Sequence, residues 1–193
     1  MYFIDVQGTL ISDSDKSPIN GACELLKKLN QKQIPYVVIT NNTKIKSDEF
    51  LQTLRDKGLA IKDGAYIDPF CVLNKTISPC PVALFGANEF ISTMQNIGYT
   101  QDLSNPKAVL IASWDKFSFD DFATINELAL KGIKIIAMHE TSIYKKNGRL
   151  YPGVGAIANM INPLLSTGEI KTITENVNSK ALLTFDMLYP KFA

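Results

Sequence analysis

The opening residues, Met1-Tyr-Phe-Ile-Asp-Val-Gln-Gly-Thr-Leu10, constrain this chain more than any other stretch: a short apolar run over residues 2–5 delivers a carboxylate into a turn that contains glycine. Near-continuous apolar runs mark parallel strands buried on both faces, and open α/β sheets bind ligands beyond the carboxyl ends of such strands. Asp5 stands at one of those ends. Its local residues leave two readings open. It is a nucleophile or metal ligand, with Gly8 freeing the backbone and Thr9 adding a hydroxyl; or it is a turn aspartate that hydrogen-bonds its own backbone two residues on.

The next sixty residues repeat the pattern. A polar stretch over residues 11–18, with Asp13 and Asp15, reads as a flap whose carboxylates face solvent rather than a cation. Asn20 is placed to cap a helix in which Ala22, Leu25, Leu26 and Leu29 share one face. Residues 36–39 form a second apolar strand, and it closes on Thr40-Asn-Asn-Thr43, side chains able to hold phosphate or carboxylate oxygens or simply to form a turn. A second helix comes after it, with Ser47 as its cap, Phe50, Leu51 and Leu54 on one face and Gly58 as its stop. Strand and helix alternating through short links imply right-handed parallel βα units, so Asp5 and Thr40 belong at the same edge of one sheet.

From about residue 77 the alternation restarts. Strands are expected over 81–85, 108–112 and 133–137, and a helix over 88–97. Ser118-Phe-Asp-Asp121 has the spacing of a capping box for another helix, and Asn147-Gly148 that of a hairpin turn. Pro152-Gly-Val-Gly155 opens an apolar helix over 156–165; its two glycines suit close packing better than a phosphate-binding turn, because the rest of that fingerprint is missing.

Composition excludes more than it identifies. Twenty basic and nineteen acidic side chains leave a net charge of +1, so no global field favours nucleic acid or an anionic membrane as a partner. No apolar run reaches the length of a membrane span and Met1 leads straight into a strand, so a cytoplasmic location is expected. Cys23, Cys71 and Cys80 include no C-x-x-C pair and read as structural, and His139, the only histidine, leaves little from which to build a histidine metal site or a catalytic triad.

Taken in order, Asp5-Val-Gln-Gly-Thr-Leu10, Ile39-Thr-Asn-Asn42 and Leu150-Tyr-Pro-Gly-Val-Gly-Ala156 resemble the haloacid dehalogenase superfamily, and within it the group of 4-nitrophenylphosphatases and N-acetylglucosamine-phosphate phosphatases. The resemblance implies an α/β protein with a Rossmann-like parallel-sheet core over 1–77 and 168–193 and an inserted α/β cap over 78–167. It also implies Mg²⁺ and hydrolysis of a small phosphorylated metabolite through an aspartyl-phosphate; self-association into a homo-oligomer is an open expectation that rests on the opening strand, not on the resemblance. Carried over by position, Asp5 is the nucleophile and a metal ligand, the backbone carbonyl of Gln7 is a second ligand, and Thr40 and Asn41 bind the transferring phosphoryl group. Trp114, His139 and Tyr144 are candidates for lining the cap.

Three departures from that pattern lower the expected activity and leave open whether the chain is an enzyme. Gln7 stands where a second aspartate would transfer a proton, a loss that typically costs ~10²–10⁴-fold in rate. Asn176 falls where a lysine is expected, with Lys180 four residues further on. The sequence reaches Ala193 without an acidic G-D-x-x-x-T-D segment, and Asp186 is a poor substitute, so the core is expected to be incomplete at that end. The alternative reading is a catalytically inactive phosphate-binding or interaction protein, or the product of a shortened gene. An incomplete core would leave the opening strand at an open sheet edge, unless a segment such as 170–174 fills the gap.

Overall fold

A computed structural model describes residues 2–146, 148–161, 171–174, 177, 180 and 181. The chain is an α/β protein that divides into two compact units, one of residues 1–42, 46–72 and 175–193 and the other of residues 43–45 and 73–174. Among the described residues, no helix is long and apolar enough to cross a membrane.

The first unit holds β1 (Tyr2–Asp5), β2 (Tyr36–Ile39) and β3 (Tyr66–Ile67), hydrogen-bonded in that order and all parallel. Burial on both faces holds for β2, where Tyr36, Val37 and Val38 are fully covered, but not for β1, where Tyr2 and Phe3 remain 54% and 43% exposed. Among the described residues β1 has a strand on one side only. Two helices, α1 (Ala22–Gln31) and α2 (Ser47–Asp56), turn apolar faces toward a core that includes Ile4, Val6, Leu10, Leu26, Val38 and Leu54. In α1 the stripe is narrower than its spacing suggests: Ala22, Leu26 and Leu29 are buried, whereas Leu25 is exposed.

Both expected caps in this unit are corrected. Gly21, not Asn20, occupies the N-cap of α1, at φ 86° and without a side-chain cap bond. Lys46 precedes α2, and Ser47 is the first residue of that helix, its hydroxyl donating instead to Asp68 at 2.7 Å. Ser47 thus lies one position past the cap, and its hydroxyl hydrogen goes to a tertiary acceptor. A 3₁₀ turn (Pro69–Cys71) follows β3.

In the second unit, after α3 (Leu73–Thr76), come β4 (Pro81–Phe85), α4 (Asn88–Asn96), β5 (Thr100–Gln101), β6 (Ala108–Ile111), α5 (Phe119–Leu130) and β7 (Lys134–Ala137). Next are β8 (Ile143–Lys146), β9 (Arg149–Pro152), α6 (Val154–Ile161) and β10 (Lys171–Thr172). The parallel sheet runs β10-β7-β6-β4-β5. Thus β10 pairs with β7 and does not fill the edge beside β1. The capping box is formed in full: Ser118 Oγ accepts from the Asp121 amide at 3.1 Å, and Asp121 Oδ2 accepts from the Ser118 amide at 2.8 Å. The antiparallel pair β8–β9 closes with Lys146 opposite Arg149, which leaves two residues for the turn; Gly148 sits at φ 75°, and Asn147 lies outside the described residues.

The helix expected over 156–165 begins two residues earlier, because the Gly-x-Gly segment docks on the chain leaving β7. Gly153 and Gly155 donate their amides to the carbonyls of Ser142 (2.8 Å) and Thr141 (3.1 Å). A Cβ on Gly153 would run into the Thr141 carbonyl and one on Gly155 into that of Glu140. These glycines serve close packing, as their sequence context suggested. Gly155→Ala is expected to destabilise this unit by roughly 1–3 kcal/mol, the usual cost of forcing an added methyl into packed structure, measurable by denaturant unfolding.

Candidate functional site

Parallel pairing sets Asp5 opposite Ile39, so Asp5 ends β1 where Thr40 leaves β2. Beyond Asp5 the chain makes one tight turn, with the Leu10 and Ile11 amides both donating to the Val6 carbonyl (2.9 and 3.0 Å) and Gly8 at φ 72°. Burial of Val6, Leu10 and Ile11 anchors the turn, while Asp5, Gln7, Gly8 and Thr9 stay exposed. Residues 12–17 then fold back as the tip of a small hairpin, with Ile11 paired to Pro18 and the Ser12 amide bonded to the Ser17 carbonyl at 2.8 Å.

This tip reaches the turn in two ways. Lys16 Nζ donates to Gln7 Oε1 at 3.0 Å, from a backbone held at φ 58°. That conformation costs an L-residue roughly 1–2 kcal/mol. Asp13 lies against Gly8, its Oδ2 3.6 Å from where a Cβ there would be. Asp13 is exposed, as expected of a loop carboxylate, and its charge bears on Asp5. Asp15 is used locally, accepting the Ser17 hydroxyl (2.8 Å) and amide (3.1 Å), and these bonds hold its carboxyl below the usual range.

Although Asp5 as a whole residue is exposed, partial burial of its carboxyl group raises it above its ordinary value of 3.8; the Val6 amide, donating to Oδ1 at 2.8 Å, opposes that rise, and the Asp13 charge adds to it. A raised carboxyl pKa means that ionisation costs folding free energy. The Asp5 contribution is fully present below the ordinary value and is lost as pH rises through the folded-state pKa. Asp5→Asn is therefore expected to gain in melting temperature relative to wild type between acidic and neutral pH, without added divalent cation; a gap that does not change with pH would contradict this.

Thr40 is the other notable group. It is 2% exposed, its amide donates to the Ile67 carbonyl at 3.1 Å, and its Oγ1 has no hydrogen-bond partner among the described residues. Leaving a buried hydroxyl unsatisfied costs about 1–3 kcal/mol. Asn41, the next residue, is exposed. Thr40→Val is expected to raise stability by about 1 kcal/mol while weakening phosphate binding roughly tenfold, as read by thermal unfolding and phosphate titration.

The residue not anticipated is Asp68, directly after β3 and fully buried. Oδ2 accepts from Asn42 Nδ2 (2.9 Å) and the Tyr66 hydroxyl (2.8 Å); Oδ1 accepts from the Ser47 hydroxyl (2.7 Å) and the Cys71 amide (3.2 Å). Burial, then the Asp68 charge, pushes both the Tyr66 hydroxyl and the Cys71 thiol upward, so both keep their protons. Cys71 is thus a donor in a network rather than a reactive thiolate.

Three further candidates lie in the second unit. His139 is buried, and burial pushes its pKa down to about 4. Its Nδ1 accepts from the Thr141 amide (3.3 Å), which leaves the proton on Nε2, 2.9 Å from Ser113 Oγ. A neutral imidazole donating to Ser113 cannot act as its base. Trp114 packs edge-on against Phe117, and Tyr144 stacks on Tyr151. Glu175, Asn176, Asp186 and the helix expected beyond Lys180 lie largely outside the described residues.

Residues 2–100, just over half of the chain, match the family described as haloacid dehalogenase-like hydrolases. The chain belongs to that family. It is 28% identical over 174 residues to an acid sugar phosphatase of Staphylococcus haemolyticus, a match covering 87% of this chain and 64% of the relative. A dihydroxyacetone phosphatase of Corynebacterium glutamicum is 21% identical over 164 residues, covering 83% of this chain and 59% of that protein. The chain thus spans somewhat less than two thirds of the length of these relatives. Among solved structures, a p-nitrophenyl phosphatase from Archaeoglobus fulgidus superposes with a TM-score of 0.77 at 21% identity, covering 94% of this chain and 72% of that one. A 4-nitrophenylphosphatase from Thermotoga maritima gives 0.73 at 20% identity, covering 93% and 72%. These likenesses show the Rossmann-like fold shared with this group.

Members of the family generally use Mg²⁺. Among the described residues no three His, Cys, Asp or Glu side chains cluster as a metal site. The Asp5 carboxylate and the Gln7 carbonyl nonetheless belong to one turn and are hard oxygen donors, the kind Mg²⁺ takes when waters and phosphate oxygens complete its shell. As part of such a shell the pair fits.

Proposed function

We propose that this chain accepts the phosphoryl group of a small phosphorylated metabolite on Asp5, with Thr40 and Asn41 binding the transferring oxygens, and that it turns over slowly. The observation carrying this reading is the buried Thr40 hydroxyl, without a hydrogen-bond partner among the described residues, next to the strand end that presents Asp5. A phosphoryl oxygen would supply the acceptor that Thr40 Oγ1 lacks. The names of the relatives, acid sugar phosphatase and dihydroxyacetone phosphatase, support a sugar or triose phosphate as the substrate class.

In the first step an Asp5 oxygen attacks phosphorus, and the ester P–O bond breaks with its electron pair leaving on the alcohol oxygen. That oxygen needs a proton. The Gln7 amide, held through its oxygen by Lys16, gives up none, so the proton comes from solvent and the rate falls by about the 10²–10⁴-fold that a positioned acid supplies. Water then attacks the aspartyl-phosphate, releasing phosphate and restoring the Asp5 carboxylate. A bound Mg²⁺ at Asp5 and the Gln7 carbonyl would supply positive charge against the repulsion between two anions.

A second reading, phosphate binding without turnover, is favoured by the same Gln7–Lys16 contact. One set of measurements separates the two. Hydrolysis of p-nitrophenyl phosphate and of sugar phosphates with Mg²⁺ is followed for wild type and Asp5→Asn, alongside phosphate titration read at the Thr40 and Asn41 amides by NMR. Slow hydrolysis abolished by Asp5→Asn, together with shifts at both amides, is expected. Amide shifts without Asp5-dependent hydrolysis would leave binding alone, and no response to millimolar phosphate would sink both readings.

A further inference from the structure

Thr40, Asn41 and Asn42 are clamped at both ends, against the last residue of β3 and the residue directly after it. The Thr40 amide donates to the Ile67 carbonyl at 3.1 Å, and Asn42 Nδ2 donates to Asp68 Oδ2 at 2.9 Å. Asp68 is fully buried, and each of its oxygens takes two donors, all four of them neutral. Only an ionised carboxylate offers acceptors on both sides and no donor. An alanine there offers no acceptor to any of the four.

We propose that Asp68 is the positioning residue of the phosphate-binding strand end: by holding Asn42 it keeps the 40–42 segment from relaxing and so preserves Thr40 Oγ1 as an uncommitted donor. The inference rests on the reading of Thr40 and Asn41 as the phosphoryl-binding pair, and it adds a residue that touches neither phosphate nor nucleophile. A buried hydroxyl without a partner drives its segment to shift toward any available acceptor. The clamp resists that drift, and the energy withheld there is recovered when an anion arrives.

Charge and positioning make opposite forecasts for Asp68→Ala, which distinguishes the inference from a general electrostatic or structural effect. Removing a negative charge near an anion site would by itself strengthen phosphate binding. Loss of positioning weakens it. The probe is inorganic phosphate titrated into the full chain, with Thr40 and Asn41 amide shifts as the readout and thermal unfolding in parallel. Asp68→Ala and Asn42→Ala are each expected to weaken phosphate binding by about tenfold or more, and the double variant no further, since both break the same link. Ser47→Ala removes a donor from the other oxygen of the same carboxylate, Oδ1, and leaves the Asn42–Oδ2 bond in place. It is expected to lower the melting temperature yet leave the phosphate affinity within about threefold.

Unchanged or tighter phosphate binding in Asp68→Ala overturns the inference, as does a Ser47→Ala loss equal to that of Asn42→Ala, or additive losses in the double variant. Should Asp68→Ala fail to fold, Asn42→Ala decides alone, and unchanged affinity there overturns it. A silent wild type would instead bring down the phosphate-binding reading itself, and this inference with it; a responsive wild type with an equally responsive Asp68→Ala would bring down only the inference.

Discussion

Parallel pairing of β1 with β2, Asp5 opposite Ile39, is the constraint on which the candidate site depends. A parallel ladder points every strand the same way, so the carboxylate that ends one strand and the hydroxyl that follows the next come to the same sheet edge without being near in sequence. Everything else at that edge adjusts to the pairing. The Val6 to Ile11 turn curls the chain away from Asp5, the hairpin tip brings Asp13 and Lys16 back over the turn, and β3 adds the third strand end, which carries Asp68.

Two buried polar groups at this edge are treated in opposite ways. Asp68 has four donors, as a buried carboxylate must if it is not to be a large liability. Thr40 Oγ1 has none among the described residues. Proteins rarely leave such a group unmatched, and those that do concentrate the exceptions where a ligand completes the set. The well-satisfied network offsets the unsatisfied hydroxyl beside it. The raised Asp5 carboxyl is a further local cost of the same kind, since burial and the Asp13 charge both disfavour the ionised form that a nucleophile requires.

Elements driven by local pattern could be read directly. Apolar runs marked β1, β2, β4, β6 and β7, Ser118 and Asp121 formed their reciprocal cap, and the Gly153-Val-Gly155 spacing indicated close packing. Features decided by distant partners could not. Ser47 looked like a cap because serine before a helix usually is one, yet its hydroxyl found a carboxylate 21 residues away. Leu25 fell in the helical stripe but faces solvent, because a core covers only part of a helix's circumference. The two-residue strands β3, β5 and β10 are too short to carry a periodic signal; they exist because a neighbouring strand already offers its edge.

By itself, the sequence determined the α/β class, the family and the identity of Asp5, Thr40 and Asn41 as site candidates, because each depends on residues adjacent in the chain or on regular spacing. Tertiary structure alone decided what surrounds them. Lys16 holding Gln7, Asp13 acting on Asp5 and Asp68 holding Asn42 across 26 residues all depend on how strands and loops register in space. A side-chain hydrogen bond leaves no periodic trace in sequence. Its partners are chosen by which backbone positions the fold brings within about 3 Å, and that choice is made only once the sheet has formed.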